Sequence, residues 1–217
     1  MTNHLFQWAG SELIIIELAE FFHSKGKSVV IFANDLDQRF IMQNISEEVF
    51  VTSSKEDIHI AEFDLVYCQH QVLTLFLDQL ISLKSFDSRP RIVYGHLSPY
   101  ERLEFPGAAI EWWYADRILC NSFETYSKMI ELGLDKSKMR VFPNPAPDDF
   151  FDVPLAYIKP RKILAISNHF PKEVRVALKI LKKNGVGVTR RGTQHVNLRV
   201  TPKESLINGL GCADIAA

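Results

Sequence analysis

The chain holds 217 residues, 47% hydrophobic and 24% charged, with a formal net charge of −1 and 15 Phe, six Tyr and three Trp; this composition fits a globular protein and argues against disorder. No apolar run reaches the roughly 18 residues of a membrane span, and Met1-Thr2-Asn3-His4 lacks the pattern of a secretory leader. Cys68, Cys120 and Cys212 make neither a disulfide framework nor a zinc pattern, so a cytoplasmic setting is expected.

Residues 11–25 read as a helix with apolar Leu13, Ile14, Ile16, Leu18, Phe21 and Phe22, stopped by Gly26. Ser28–Ala33 is a short unbroken apolar run, the signature of a strand buried on both faces. Similar runs recur at Val49–Thr52, Asp64–Cys68, Arg91–Tyr94, Arg117–Cys120 and Met139–Phe142. Helical stretches lie between them at Val72–Leu83, Ala109–Tyr114 and Phe123–Leu132. This alternation predicts a parallel sheet with crossover helices. Three prolines in residues 143–149 then break the rhythm. It restarts with a strand at Lys162–Ile166, a helix over Pro171–Lys183, and a strand at Val186–Thr189. A further strand at Val196–Val200 and a helix from Pro202 are expected, and 213–217 resembles the start of a strand.

Charge divides the chain. Residues 1–150 carry 13 Lys or Arg against 22 Asp or Glu, whereas 151–217 carry 12 against 4. A basic segment suits a phosphate-bearing small molecule, a nucleic acid or an anionic membrane; a solvated helix face bearing Lys179, Lys182 and Lys183 explains it equally well.

Ala115-Asp116-Arg117-Ile118-Leu119-Cys120-Asn121-Ser122, then Gly133-Leu134, then Lys138–Pro145 resembles the end of the first domain of retaining nucleotide-sugar glycosyltransferases. Gly10-Ser11-Glu12, Leu18-Ala19, Gly26 and Val29–Phe32 are similar to the opening of that family. The resemblance covers residues 9–147 well and the remainder weakly. It implies an α/β, GT-B-like architecture: an acceptor-side Rossmann-like domain over 1–147, a linker over 148–160, and an incomplete nucleotide-sugar-binding domain of Rossmann type over 161–217. Only Asn3–Trp8 precede the first loop, so the first strand is expected to be missing or very short.

Ligands gather at the carboxyl ends of parallel strands. Gly10 offers close backbone approach to a phosphate or a sugar, and Ser11 is either a helix cap or a ligand contact. His70 and His96 each follow an apolar strand, which places both on that rim; a histidine there can donate to a hydroxyl or take a proton near neutral pH, or be a loop residue without a task. The resemblance implies that His96 lies near the reacting sugar. Asn121 and Ser122 end the next strand and either bind ligand or cap the following helix, with the cap favoured. Glu101 and Glu104 read as a solvated pair, and Asn144 resembles the family's hinge asparagine. In the second domain, Ser167, Asn168 and His169 form the first strand-to-helix loop, with Lys172 and Arg175 opening the helix. The resemblance implies donor binding there. Arg190-Arg191-Gly192 is a second candidate anion site or a solvated turn. Asp35-Leu36-Asp37 is read as a helix start rather than a metal site, because acids favour helix N-termini.

The resemblance thus implies transfer of a hexose from a nucleotide sugar to a glycan or lipid-linked acceptor, with no metal and no other cofactor. Peripheral contact with the inner face of a membrane and self-association through an exposed sheet edge are the further partners considered; no nucleic-acid motif is present. About 57 residues follow the linker, so the donor half is expected to be incomplete and turnover by this chain alone slight. The alternatives are a sugar-nucleotide epimerase and a non-catalytic binding or scaffold module.

Overall fold

The computed structural model describes residues 1–6, 10–83, 89–98, 108–143, 162–166 and 172–191. The chain divides into two compact units, Met1–Pro145 and Ala146–Ala217.

The first unit follows the expected alternation: β1 (Thr2–Leu5), α1 (Gly10–Ser24), β2 (Val30–Leu36), α2 (Gln38–Asn44), β3 (Phe50–Thr52) and β4 (Leu65–Cys68). There follow a 3-10 turn (Val72–Phe76) and α3 (Leu77–Ser82), then β5 (Arg91–His96), α4 (Ala109–Tyr114), β6 (Arg117–Cys120), α5 (Phe123–Glu131) and β7 (Met139–Val141). Every described strand pair is parallel. The ladders β1-β2-β3 and β4-β5-β6-β7 are joined by two main-chain bonds. The amino group of Met1 donates to the Tyr67 carbonyl (2.6 Å), and the Gln69 N–H donates to the Met1 carbonyl (3.1 Å). Across that seam the order reads β3-β2-β1-β4-β5-β6-β7. The chain winds outward in both directions from β1 and β4, which makes their junction a topological switch point.

Side-chain alternation along β2 separates the two cores. Ile31 and Ala33 pack with Ile15, Ile16 and Ala19 of α1 and with Phe40 of α2. Phe32, between them in sequence, joins the opposite core with Phe76, Val66, Ile92, Tyr94 and Ile118. The second core is the larger and is sealed by α4 and α5. Asp116, quoted above in the family-like stretch, is a structural residue. It accepts both guanidinium nitrogens of Arg89 (2.9 and 3.0 Å) and the Ile92 N–H (2.8 Å), and so ties the start of β5 to β6. Burial alone would raise its carboxyl, but these donors hold it below the ordinary aspartate range.

Three details add to the sequence expectation. The first strand, expected to be missing or very short, is present with four residues. It prolongs β2 past Ala33, because His4 and Leu5 pair with Asp35 and Leu36 and support polar residues in a strand. The stretch after β4 begins as a 3-10 turn: it is entered through His70 and Gln71, both left-handed at φ 57° and 60°. β5 runs on through Gly95 and His96, which pair with Leu119 and Cys120. Gly26, at φ 72°, does terminate α1 in the left-handed conformation expected of it.

In the second unit β8 (Lys162–Ile166) pairs with β9 (Gly187–Arg191), and α6 (Lys172–Lys183) connects them. Leu178 is buried and Leu181 half-buried, while Lys172, Arg175, Lys179, Lys182 and Lys183 are exposed. The strand and helix expected at 196–200 and from 202, the strand start at 213–217, and most of the proline-rich linker lie outside the described residues.

Candidate functional site

The switch point carries a closed ring of polar contacts. Gln69 ends β4 wholly buried; its amide donates to Thr2 Oγ1 (3.0 Å) on β1 and to the Ser11 carbonyl (2.9 Å) on α1. Thr2 Oγ1 is hydrogen-bonded to His70 Nδ1 (3.1 Å). The His70 ring stacks on that of His4, with centroids 4.8 Å apart and planes 14° apart. His4 Nε2 faces Glu12 Oε1 at 3.4 Å, and Ser11 Oγ donates to Glu12 Oε2 (2.6 Å), returning to α1. A buried carboxylate needs such partners. Its place in the first turn of α1 also sets it against the positive end of the helix.

The ring has an inner and an outer side. Glu12 and Gln69 are fully buried. His4 is 29% exposed, and Phe6 beside it, 40% exposed, lies with its ring centroid 5.3 Å away. His70 is half-buried and Gly10 exposed. A Cβ added at Gly10 would meet no atom of the described residues within 4 Å. Burial, then the neighbouring His4 and the chain's amino group, push the His70 imidazole down to about 4, so it is neutral at pH 7.

His96 ends the adjacent strand, at the same end of the sheet as His70, but is 0% exposed. Its ring lies 5.7 Å from Tyr94 and 6.1 Å from Trp112, inside the larger core. Burial pushes it down to about 4, against a backbone hydrogen bond at Ser98 that acts the other way. The expected rim position is therefore correct along the strand, while the ring itself faces inward. On the opposite face of the sheet Tyr67 crosses Gly95 so closely that a Cβ there would lie 2.1 Å from the phenolic oxygen. The hydroxyl is thereby directed to Gln69 Oε1 (3.5 Å), which links this residue to the ring.

Ser122 caps α5, accepting from the Thr125 N–H (3.1 Å). The Asn121 amide donates to the Leu97 carbonyl and its oxygen accepts from Thr125 Oγ1 (2.8 Å), so both its ends brace the turn between β6 and α5. Ser11 is inside α1 rather than before it, and its hydroxyl serves Glu12. Asp37 caps α2, accepting from the Arg39 and Phe40 N–H groups (2.7 and 3.2 Å). Lys172 and Arg175 are exposed, one turn apart near the start of α6. Arg190 and Arg191 lie within β9 rather than in a turn after it. Ser167, Asn168, His169, Glu101, Glu104, Asn144 and Gly192 lie outside the described residues.

Sequence reasoning passed over Thr2, His4, Glu12 and Gln69. The signal for Glu12 was its place in the first turn after Gly10. Nothing along the chain announces that β1 and β4 are neighbours, so no pattern connects His4 with His70. No group of His, Cys, Asp and Glu among the described residues is arranged to hold a metal ion. No described helix is long and apolar enough to cross a membrane.

No protein-family model matches the sequence, and no curated protein matches it. Among solved structures it is similar to Anabaena HepE (Alr3699) in complex with UDP, at 15% identity and a TM-score of 0.53, over 89% of this chain and 70% of that one. It is similar also to the same protein in complex with UDP-glucose, at 17% identity and a TM-score of 0.55, over 96% of this chain and 64% of that one. The chain thus spans about two thirds of the length of HepE. At this identity the likeness shows the fold, and the fold is the GT-B-like α/β class with parallel sheets.

Proposed function

We propose that this protein takes part in nucleotide-sugar-dependent glycosyl transfer, with the first unit as its acceptor side. The observation that carries this reading is the switch-point ring at the carboxyl end of β4, beside β1 and the start of α1, on a fold shared with a protein crystallised with UDP and UDP-glucose. Open α/β sheets hold ligands at that place. Phe6, His4 and His70 present aromatic faces beside hydrogen-bonding groups, a surface suited to a sugar ring.

In the second unit the donor's diphosphate would meet Lys172 and Arg175, together with Ser167, Asn168 and His169. Most of the rate in such a transfer comes from holding the two sugars in reacting geometry and from preorganised charge. His96 serves the reaction only if its ring is uncovered when substrates bind, because no sugar reaches it at 0% exposure. A retaining course without a metal, and an acceptor that is a glycan or a lipid-linked sugar, complete the reading. An epimerase would need catalytic acid and base groups at the reacting sugar, and Glu12 is committed to Ser11 and His4.

The test is calorimetry of the chain with UDP-glucose and with a guanosine diphosphate sugar, followed by a transfer assay on the same sample. Saturable binding that weakens with salt, with slow turnover, is expected. Failure of every nucleoside diphosphate sugar to bind at millimolar concentration would overturn the proposal.

A further inference from the structure

We propose that the switch-point ring selects an uncharged sugar as acceptor and rejects phosphate-bearing ones, with Glu12 as the positioning residue behind the contact surface. The inference rests on the glycosyl-transfer reading and deepens it. A helix N-terminus at a strand end ordinarily attracts phosphate. Here that attraction is already taken up. Glu12 lies in the first turn of α1, fully buried, with its carboxylate beneath His4. Its Oε1 accepts no hydrogen bond among the described residues and faces into the ring.

The elements that build the ring supply no lysine or arginine to it. Residues 1–24 and 64–83, which supply β1, α1, β4 and the turn after β4, contain neither Lys nor Arg. His70 is neutral at pH 7, and burial brings the amino group of Met1 down to about 6, so that it too is largely uncharged there. His4 faces Glu12 directly, at 3.4 Å. The exposed edge is made of Phe6, His4, His70 and Gly10. A sugar hydroxyl both donates and accepts, which suits a neutral imidazole. An ionised phosphate only accepts, and it would meet the Glu12 carboxyl oxygens, which also only accept or are already engaged, with no lysine or arginine in these elements to receive it.

The experiment uses the full chain with its histidines isotope-labelled, and follows the His4 and His70 ring signals by NMR. Methyl α-glucoside and glucose 6-phosphate are titrated in parallel, with UDP-glucose as a separate arm. The glucoside is expected to shift both ring signals saturably, and the sugar phosphate at least about tenfold more weakly. In Glu12→Gln the sugar phosphate should gain about tenfold while the glucoside changes little. Equal or tighter binding of the sugar phosphate by the unaltered protein overturns the inference, whether or not the variant folds. So does a glucoside that leaves both rings unshifted. Those outcomes, with UDP-glucose still bound, leave the glycosyl-transfer reading standing. A glucoside bound at the ring with no binding of any nucleoside diphosphate sugar refutes transfer and keeps the subsite.

Discussion

The ends of β4 and β5 read alike in the sequence and differ in space. Each is an apolar strand closing on a histidine. At β4 the strand stops at Cys68, Gln69 turns inward to bind β1 and α1, and two left-handed residues lift His70 onto the polar ring. At β5 pairing continues through Gly95 and His96, so His96 keeps the facing of Tyr94 and enters the core. Two residues of strand length separate an imidazole on the polar ring from one packed in the core. Strand-end position is thus a weak guide to exposure unless the register of the last pair is known.

The largest effect expected from this comparison is on acid stability. Unfolded, both imidazoles titrate near 6.5; folded, both are held at about 4. Between those values the unfolded chain takes up protons that the folded chain refuses. The contribution of the two histidines is therefore complete above pH 6.5, falls as the pH drops towards 4, and levels off below. Each histidine contributes up to about 3 kcal/mol of that loss. Urea unfolding across pH 4–7 measures it, and His96→Gln should remove roughly half of the slope. A flat profile would break the account of both histidines.

Truncation separates the two positions next. His96→Ala empties a fully buried site between Tyr94 and Trp112 and should cost about 3 kcal/mol. His70→Asn keeps a residue that tolerates the left-handed backbone and should cost less than about 1 kcal/mol, while weakening methyl α-glucoside binding. Chemical denaturation of the two variants side by side reads the difference, and equal costs would erase the distinction drawn here.

Gly95→Ala sharpens the picture from the other face of β5. The new methyl would collide with the Tyr67 hydroxyl, so the ring must swing away from Gln69. A loss of roughly 1–3 kcal/mol is expected. Gly10→Ala, by contrast, places its methyl clear of the described residues at the start of α1 and should alter stability by less than about 0.5 kcal/mol. Any loss of glucoside binding in that variant would report contact with the ligand rather than damage to the fold.

The strand–helix alternation was legible because buried parallel strands are short apolar runs, and Arg117–Cys120 and Lys162–Ile166 fall where those runs predict. β1 was nearly invisible: four residues with three polar side chains gain their strand character from β2 and β4, not from their own pattern. The extension of β2 through Asn34 and Asp35 escaped notice for the same reason. At the site, Gly10, Ser11 and His70 were found from strand ends and helix starts. The ring joining them was not, because it depends on a seam between strands more than 60 residues apart in the chain. The cap at Ser122 was the favoured local reading and is what the hydrogen bonds show.

The account turns on which groups each half of the substrate pair touches. Chemical-shift mapping of the labelled chain with methyl α-glucoside and with UDP-glucose tests that directly. The account predicts that the glucoside perturbs His4, Phe6, Gly10 and His70, and that the nucleotide sugar perturbs Lys172, Arg175 and their neighbours at the start of α6. Nucleotide-sugar shifts centred on the switch-point ring, with none in residues 162–191, would contradict it.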